Sequence, residues 1–452
     1  MDDALKQPTA TDATQEPPAS FGQILKYIGP GLILTASIVG SGEVIATPKV
    51  AAEAGFQLLW LIILGCIIKV FVQVELGRFA VAQGMTTLEA LDSMPGPRYR
   101  ASWLVWLWVF MYIGTLFQVA GIVGAVTQVL TSAGLTMDGR LLAILIGLVT
   151  IVLLVLGRYK MVERVSIVMV AAFTFCTIIA VGSLQWSDFA ISASDIMSGL
   201  KFQLPDDFTT AFGAFGMIGV GASELIFYPY WVLEKGYARK VGPNDQSDGW
   251  YNRAKGWMKV MQTDAWVSMV IYTGATAAFF LLGAAVLHAG GLEVNDEKPM
   301  IPVLAQMYKE SFGGISLAIF LIGAFFALFS TTFVATASNA RLFADGLQIF
   351  KITEYKNEEA RQKMIKVGCT VLPAFSVIVF LIMGTPVQLV FIGGGAQGLM
   401  LPFLAIAALY FRYKRTDQPL RPGNAWSFCL WVAAILMILA GAYQCLTKLK
   451  VF

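Results

Sequence analysis

The sequence predicts an all-α integral membrane protein with eleven membrane-spanning helices. Its 452 residues are 57% hydrophobic and only 13% charged, whereas soluble domains are about 45–50% apolar and about 25% charged. Apolar stretches long enough to cross a hydrocarbon core, which takes about 20 helical residues, recur along almost the whole chain. These stretches are continuous rather than alternating, which excludes membrane-spanning strands.

Ten of the eleven apolar stretches form two repeats of five. We number them spans one to eleven, near residues 25–52, 56–80, 102–132, 140–157, 163–184, 208–233, 263–288, 312–346, 366–384, 387–411 and 425–447. Because five is odd, spans one to five and six to ten start on opposite sides of the membrane and form inverted repeats. We therefore divide the chain into a disordered tail (1–24), a first repeat (25–184), a second repeat (185–411) and a final segment with span eleven (412–452).

The basic residues predict the orientation. Loops on the side of the amino terminus hold most of them, including the clusters at 235–259, 341–366 and 412–421. Because such loops are cytoplasmic, we expect the amino terminus to lie inside, in the cell (plasma or inner) membrane. The net charge of +3 is then a signal of topology and does not indicate nucleic-acid binding.

A similar phrase containing a carboxylate occurs in the first span of each repeat. Residues 39–45 read VGSGEVI and residues 220–226 read VGASELI. Glycines within an apolar span break the helix and free carbonyl groups. A carboxylate at membrane depth costs roughly 2.5 kcal/mol or more, so Glu43 and Glu224 indicate a transport site.

The two breaks are expected to face each other at the bilayer midplane around the substrate. The expected substrate-binding residues are Gly40, Ser41, Glu43, Ala222, Ser223, Glu224 and Gln397. Within this set we predict that the carboxylates of Glu43 and Glu224 and the carbonyls near Gly40 and Ala222 bind a metal cation. For each glutamate the alternative is a structural role as a cap of the following half-helix.

Motifs outside the breaks resemble those of the Nramp divalent-metal transporters. They are Gly29-Pro30-Gly31 before the first break, Leu58-Leu59-Trp60 and Arg78 in span two, Gly157-Arg158 with Glu163 before span five, Thr263-Asp264 with Ala284-Ala285-Val286 and Gly290 in span seven, and Pro402 in span ten. The resemblance covers roughly residues 25 to 447. It implies a LeuT-type fold with helices one and six broken at the midplane, and transport of a divalent metal ion.

The break residues depart from the Nramp pattern. By this resemblance Gly40 replaces a metal-binding aspartate, Glu43 an asparagine, Leu225 a methionine and Phe227 a histidine. The loss of a thioether ligand favours Mg²⁺, Ca²⁺ or Mn²⁺ over softer metals. Mg²⁺ tends to keep water molecules, which the small residues at the breaks would accommodate. We therefore expect Mg²⁺ first and Mn²⁺ second, as in the Nramp-related magnesium transporters.

The resemblance also indicates altered coupling. Acidic residues that Nramp members carry on span three are replaced by Thr115 and Gln118, and the only histidine, His288, lies at the far end of span seven. We expect uncoupled transport driven by the electrochemical gradient, unless Glu43 and Glu224 themselves take up protons. The candidate gate or coupling residues are Gln118, Arg158, Glu163 and Tyr228.

Two other functional classes stay open. The same fold could carry a small organic or anionic solute, held by the half-helix amino ends, with the glutamates as proton carriers. The chain could also be a membrane receptor or scaffold that does not transport. An enzyme is not expected, because one histidine allows none of the usual catalytic arrangements, and no cofactor is expected.

Several polar groups outside the breaks have structural interpretations. Lys69 with Glu75 and Arg78 would form an internal ion pair and an interfacial anchor, or Lys69 would supply a fixed positive charge. The polar run on span eight, Ser330-Thr331-Thr332 with Thr336, Ser338 and Asn339, would bond between helices or line the pathway. The glycines at 393–395 would allow close packing or a flexible gate. The cysteines would be small core residues.

Overall fold

A computed structural model places a helix at each of the eleven predicted spans. It describes residues 14–157, 159–204, 209–295 and 299–448, without the side chains of a few helical residues such as Ser41 and Glu163. Among the described residues, seven helical stretches are long and apolar enough to cross a membrane, and one of them, Pro30–Gln83, holds two predicted spans. The prediction of a multi-pass helical membrane protein is confirmed.

The spans have the following bounds. Span one comprises Pro30–Ile38, a π-helical turn at Ser41–Ala46, and Thr47–Ala54, and spans two to five are Leu59–Gln83, Trp103–Ser132, Gly139–Val155 and Tyr159–Ser183. Span six comprises Thr209–Phe215 and Ala222–Glu234, and span seven is Asp248–Leu282 continued by a π-helical turn at Gly283–His288. Spans eight, nine and eleven are Ser316–Ile349, Glu358–Met383 and Asn424–Lys448, and span ten is Pro386–Tyr410 continued at Phe411–Arg415.

Short elements connect the spans. The helices are Phe21–Ile24, Thr87–Asp92, Ala193–Gly199, Tyr237–Val241, Met300–Ala305 and Lys309–Phe312. The two strands, Arg98–Tyr99 and Ala101–Ser102, form a minimal antiparallel hairpin. This hairpin lies before span three and crosses no membrane.

Two spans begin earlier than predicted. Span seven begins at Asp248 rather than near residue 263, and span nine begins at Glu358 rather than near 366. The side chains of Ser247 and Asn357 cap these helices by accepting hydrogen bonds from backbone amides. Caps and polar first turns start a helix before its apolar stretch begins, so hydropathy finds only the apolar part.

Spans one and six are broken where the glycine-containing phrases predict. Span one is interrupted at residues 39–40, and span six between Phe215 and Ala222. A Cβ atom added to Gly40 would lie 1.7 Å from Thr331 Oγ1 of span eight, so only glycine fits this approach. Gly219 has φ +63°, a left-handed conformation that glycine adopts without strain.

The amino-terminal half of span one is fixed by span seven. The carboxylate of Asp264 accepts hydrogen bonds from the amides of Gly29 at 2.7 Å and Gly31 at 2.6 Å. These amides are at the start of the helix and have no partner within it. The Gly29-Pro30-Gly31 and Thr263-Asp264 motifs are therefore one contact in the folded protein.

The described part of the amino-terminal segment, from residue 14 onward, contacts the loop after span six. The amide of Gln15 donates to the carbonyl of Lys240 at 2.9 Å, and the Trp257 indole donates to the carbonyl of Gln15 at 2.8 Å. The Lys240 ammonium lies 4.5 Å from the ring centroids of both Tyr27 and Trp257. Aromatic and backbone contacts with the loop after span six thus hold this segment, which composition alone does not reveal.

At the opposite end, span seven contacts the end of span one. His288 Nδ1 lies 2.8 Å from the carbonyl oxygen of Ala52 and donates a hydrogen bond to it. The imidazole also lies against Gly55 at the turn into span two. Both halves of span one are therefore tied to span seven, one at each end.

Candidate functional site

Glu43 lies on the π-helical turn of span one and is completely buried. Its Oε1 atom accepts hydrogen bonds from the Thr276 hydroxyl of span seven at 2.8 Å and from the Gly219 amide at 3.3 Å. Its Oε2 atom is buried and has no hydrogen-bond partner among the described residues. Glu43 thus joins the break of span one to span seven and to the break of span six.

Glu224 lies in the first turn of the second half of span six. Its Oε2 atom is 2.7 Å from the Ser223 hydroxyl, and Oε1 makes a long 3.5 Å contact with the Ser37 hydroxyl of span one. No arginine or lysine within the described ranges forms a salt bridge with it. Serine hydroxyls therefore provide the hydrogen bonds to the Glu224 carboxylate, and a cation could bind the carboxylate in addition to them.

A chain of hydrogen bonds extends from Glu224 across the molecule. Gln397 Oε1 accepts from the amide and the hydroxyl of Ser223 at 3.0 and 2.8 Å. Gln397 Nε2 in turn donates to Gln118 Oε1 at 2.6 Å. Three predicted residues, Gln118, Ser223 and Gln397, are therefore brought together with Glu224.

A narrow cavity lies beside this chain of hydrogen bonds, between spans three, six and eight. It is lined by Thr115, Gln118, Val119, Ile122, Ser223, Glu224, Phe227, Thr331, Ala335 and Asn339. In this state it has room for about one water molecule. Glu224 is part of this lining and Glu43 is not, so the two carboxylates do not face the same cavity.

Carbonyl groups at the first break are largely bonded within the protein. The carbonyl of Gly40 accepts the amide of Val44 at 2.8 Å. The hydroxyl of Thr331 lies 3.0 Å from the carbonyl of Ser37, and that of Ser330 lies 3.1 Å from the carbonyl of Ala36. Span eight therefore satisfies the carbonyl end of the first half of span one.

Lys69 bonds the free carbonyl groups at the second break, as the hydroxyls of span eight do at the first. Its ammonium donates to the carbonyls of Phe215 and Ile218, the latter at 2.7 Å, and lies 4.5 Å from the Phe215 ring centroid. The side chain is fully buried. The Lys69 ammonium thus occupies the carboxyl end of the first half of span six.

The grouping of Lys69 with Glu75 and Arg78 is wrong. Glu75 and Arg78 do form a buried pair, with Nε 3.2 Å from Oε1, and the Trp426 indole donates to the same carboxylate oxygen at 2.7 Å. Lys69 bonds the break of span six instead. Sequence spacing showed three charges on one helix but not that they face different neighbours.

Of the four candidate gate or coupling residues, the structure describes the side chains of two, Gln118 and Tyr228. Gln118 belongs to the hydrogen-bond chain described above. The Tyr228 hydroxyl lies 2.9 Å from the carbonyl of Met261 and 3.1 Å from Asp264 Oδ2, beside the contact that fixes span one. Arg158 and the side chain of Glu163 lie outside the described residues.

Several polar residues of this region were not predicted as site residues, among them Ser37, Thr115, Thr276, Thr331 and Asn339. Thr331 and Asn339 belong to the polar run on span eight, which helix-to-helix hydrogen bonding explains equally well. Ser37 and Thr276 are single hydroxyl residues in apolar spans, and a lone hydroxyl gives no signal in one sequence.

The donor set is one of oxygen atoms. Nowhere in the described ranges do three or more histidine, cysteine, aspartate or glutamate side chains cluster where they could hold a metal ion. Any cation bound here would therefore be held by one carboxylate at a time together with hydroxyl, amide and carbonyl oxygens. Such ligands suit hard cations.

Comparison with known proteins identifies the class. The family profile described as natural resistance-associated macrophage protein-like (Nramp) matches residues 31–447. An uncharacterised protein of Pasteurella multocida is 24% identical over 84% of this chain and 81% of its own. The divalent metal cation transporter MntH of Caldanaerobacter subterraneus is 23% identical over 66% of this chain and 68% of its own.

A solved structure has the same fold. The crystal structure of a mutant manganese transporter of Eremococcus coleocola covers 97% of this chain and 92% of its own with a TM-score of 0.70, at 14% identity. The fold is therefore the predicted LeuT type, an all-helical membrane architecture. The chain belongs to the Nramp family.

Proposed function

We propose that this protein carries a divalent cation across a membrane, Mg²⁺ first and Mn²⁺ second. Membership of the Nramp family supports transport of a divalent metal ion. The observation that supports the choice of ion is the set of oxygen atoms around Glu224, with no thioether or imidazole in the cavity lining. Hard cations prefer such oxygens.

The proposed ligands are those that the sequence singles out. The two carboxylates, which do not face the same cavity, would bind the cation in turn: Glu224 at the cavity, and Glu43 through its buried Oε2 atom, which has no hydrogen-bond partner among the described residues. The carbonyls of Gly40 and Ala222 would complete the site, with the second lone pair of Gly40 free to accept although the first is bonded to Val44.

Transport is proposed to be uncoupled from protons. The span-three positions next to the site hold Thr115 and Gln118, which do not titrate, and the single histidine contacts Ala52 far from the cavity. The electrochemical gradient alone would then drive the cation. The excess of basic residues in loops on the amino-terminal side supports a cytoplasmic amino terminus, and we propose that the protein lies in the plasma or inner membrane.

One observation favours the second candidate, a small organic or anionic solute. Lys69 keeps a positive charge at the second break, where it bonds two carbonyls that would otherwise be available to a cation. A fixed positive charge weakens divalent cation binding and attracts anions. In that case the glutamates would carry protons.

Reconstituted vesicles loaded with a Mg²⁺ or Mn²⁺ indicator distinguish the candidates. Under an inside-negative potential we expect cation influx by the wild-type protein, loss of influx in Glu43→Gln and Glu224→Gln, and no change in Glu359→Gln, whose exposed side chain pairs only with Lys363. A pH indicator in parallel vesicles should report no proton movement. Folded wild-type protein that moves neither ion would contradict the proposal and favour the organic or anionic cargo.

A further inference from the structure

Beside Glu224, the cavity is lined by threonine hydroxyl groups whose protons are already donated in hydrogen bonds to backbone carbonyls. The hydroxyl of Thr115 donates to the carbonyl of Tyr112 at 2.7 Å, and that of Thr331 lies 3.0 Å from the carbonyls of both Ser37 and Ala327. A hydroxyl has one proton and two lone pairs. Both threonines therefore offer only lone pairs to the cavity.

Asn339 of span eight adds an acceptor without a partner. Its side chain is 2% exposed and lines the same cavity as Glu224, and its Oδ1 atom has no hydrogen-bond partner among the described residues. Its backbone is fixed, because its carbonyl accepts the Tyr112 hydroxyl at 3.0 Å. A buried amide oxygen without a partner is costly unless another group binds it.

We propose that this cavity is a cation-binding site, with Glu224, Asn339, Thr115 and Thr331 as its oxygen ligands. The inference rests on the proposed function for the identity of the cation, and it extends the ligand set from the helix breaks to spans three and eight. A cation there contacts both the broken span six and the unbroken spans around it.

The chemistry of the site selects a hard cation. One carboxylate, one amide oxygen and two hydroxyl oxygens are ligands of the kind that Mg²⁺, Ca²⁺ and Mn²⁺ accept. The cavity has room for about one water molecule in all, so a cation bound there takes that space and is held directly by the protein oxygens. A fully hydrated ion enters only when span six moves away from spans three and eight.

Asn339 provides the decisive variants. Asn339→Leu removes the amide oxygen at similar size and should weaken Mn²⁺ binding to the purified protein about tenfold or more, as loss of a ligand does. Asn339→Asp should strengthen it. Ser338→Ala is the matched control, because Ser338 is the neighbouring buried residue with an unpartnered hydroxyl and does not line the cavity; it should bind Mn²⁺ like the wild type.

Binding is read from the electron paramagnetic resonance signal of free Mn²⁺ in detergent, so it is measured apart from transport. A fourth variant, Asn339→Cys, should create micromolar Cd²⁺ inhibition of Mn²⁺ binding beyond that of the wild type, while Ser338→Cys should not. Wild-type Mn²⁺ affinity in both Asn339→Leu and Asn339→Asp, with folded protein, would overturn the inference. If Mn²⁺ binds in this Asn339-dependent manner but vesicles show no flux, the site stands and the transport proposal fails.

Discussion

The side-chain oxygen of Gln397 in span ten accepts two hydrogen bonds from Ser223 in span six, one from its amide and one from its hydroxyl. The amide of Ser223 is one of those that a helix start leaves unsatisfied. Gln397 thereby caps the second half of span six from a neighbouring helix. Because Ser223 directly precedes Glu224, this contact links the orientation of Glu224 to the position of span ten.

Replacing Gln397 should weaken cation transport through this contact. In Gln397→Leu the buried amide of Ser223 loses its acceptor, at a cost of about 1–3 kcal/mol. We expect a lower melting temperature and a higher KM for the cation in vesicle influx. Gln388→Leu on the exposed face of the same helix should change neither, and equal effects in both variants would exclude a specific role for the contact.

Substitution of Lys69 should destabilise the break of span six. Lys69→Met keeps the apolar stem but leaves the carbonyls of Phe215 and Ile218 without their donor. The expected loss is about 1–3 kcal/mol for each unsatisfied buried group, measured as a fall in melting temperature in detergent. Lys363→Met, whose side chain is 75% exposed, is the control. Unchanged stability in Lys69→Met would show that water replaces the ammonium.

A methyl group at Gly40 should stop transport. Its Cβ would lie 1.7 Å from Thr331 Oγ1 and 2.6 Å from Thr331 Cβ, so span one would have to move away from span eight. Overpacking of this kind costs about 1–3 kcal/mol or more. Gly40→Ala should therefore fold poorly or lose influx, whereas Gly274→Ala, which meets nothing within 4 Å, should behave as the wild type.

Asp264 should control the position of the first half of span one. Asp264→Ala removes the acceptor of the Gly29 and Gly31 amides, a cap worth about 1 kcal/mol. We expect faster labelling of a cysteine introduced at buried Leu34 by a water-soluble maleimide. Asp248→Asn, at the exposed start of the same helix, should leave the labelling rate unchanged; an identical rate in Asp264→Ala would contradict the role.

The end of span six is fixed to span eight by a bidentate pair. The Arg341 guanidinium donates to both carboxylate oxygens of Glu234, through Nη2 at 3.0 Å to Oε2, and lies 4.5 Å from the Trp231 ring. Because both side chains are partly exposed, the pair adds at most about 1 kcal/mol of stability. It should instead influence which conformation predominates.

The exchange of the two charges tests this role. Arg341→Glu should change the influx rate without a large fall in melting temperature, and the double variant with Glu234→Arg should recover the wild-type rate. Arg341→Lys, which loses the two-pronged geometry, should recover it only in part. A double variant as impaired as the single one would show that the pair does not control conformation.

Much of the fold could be predicted from the sequence because each span carries its own hydropathy and the odd repeat length dictates inversion. The breaks were predictable because glycine and glutamate are costly in an apolar helix. The residues that contact the broken segments could not be predicted. Nothing local in the sequence places Thr276 against Glu43, Gln397 against Ser223 or Lys69 against the break, because such contacts arise from helix packing between distant segments.

The contact of His288 with Ala52 has a spectroscopic consequence. Since the chain has a single histidine, selective ¹⁵N enrichment of imidazole yields one pair of ring-nitrogen resonances without any engineered label. Their chemical shifts depend on whether Nδ1 is bonded to the Ala52 carbonyl. Nuclear magnetic resonance of the native chain can thus follow, as cation is added, whether the carboxyl end of span one separates from span seven.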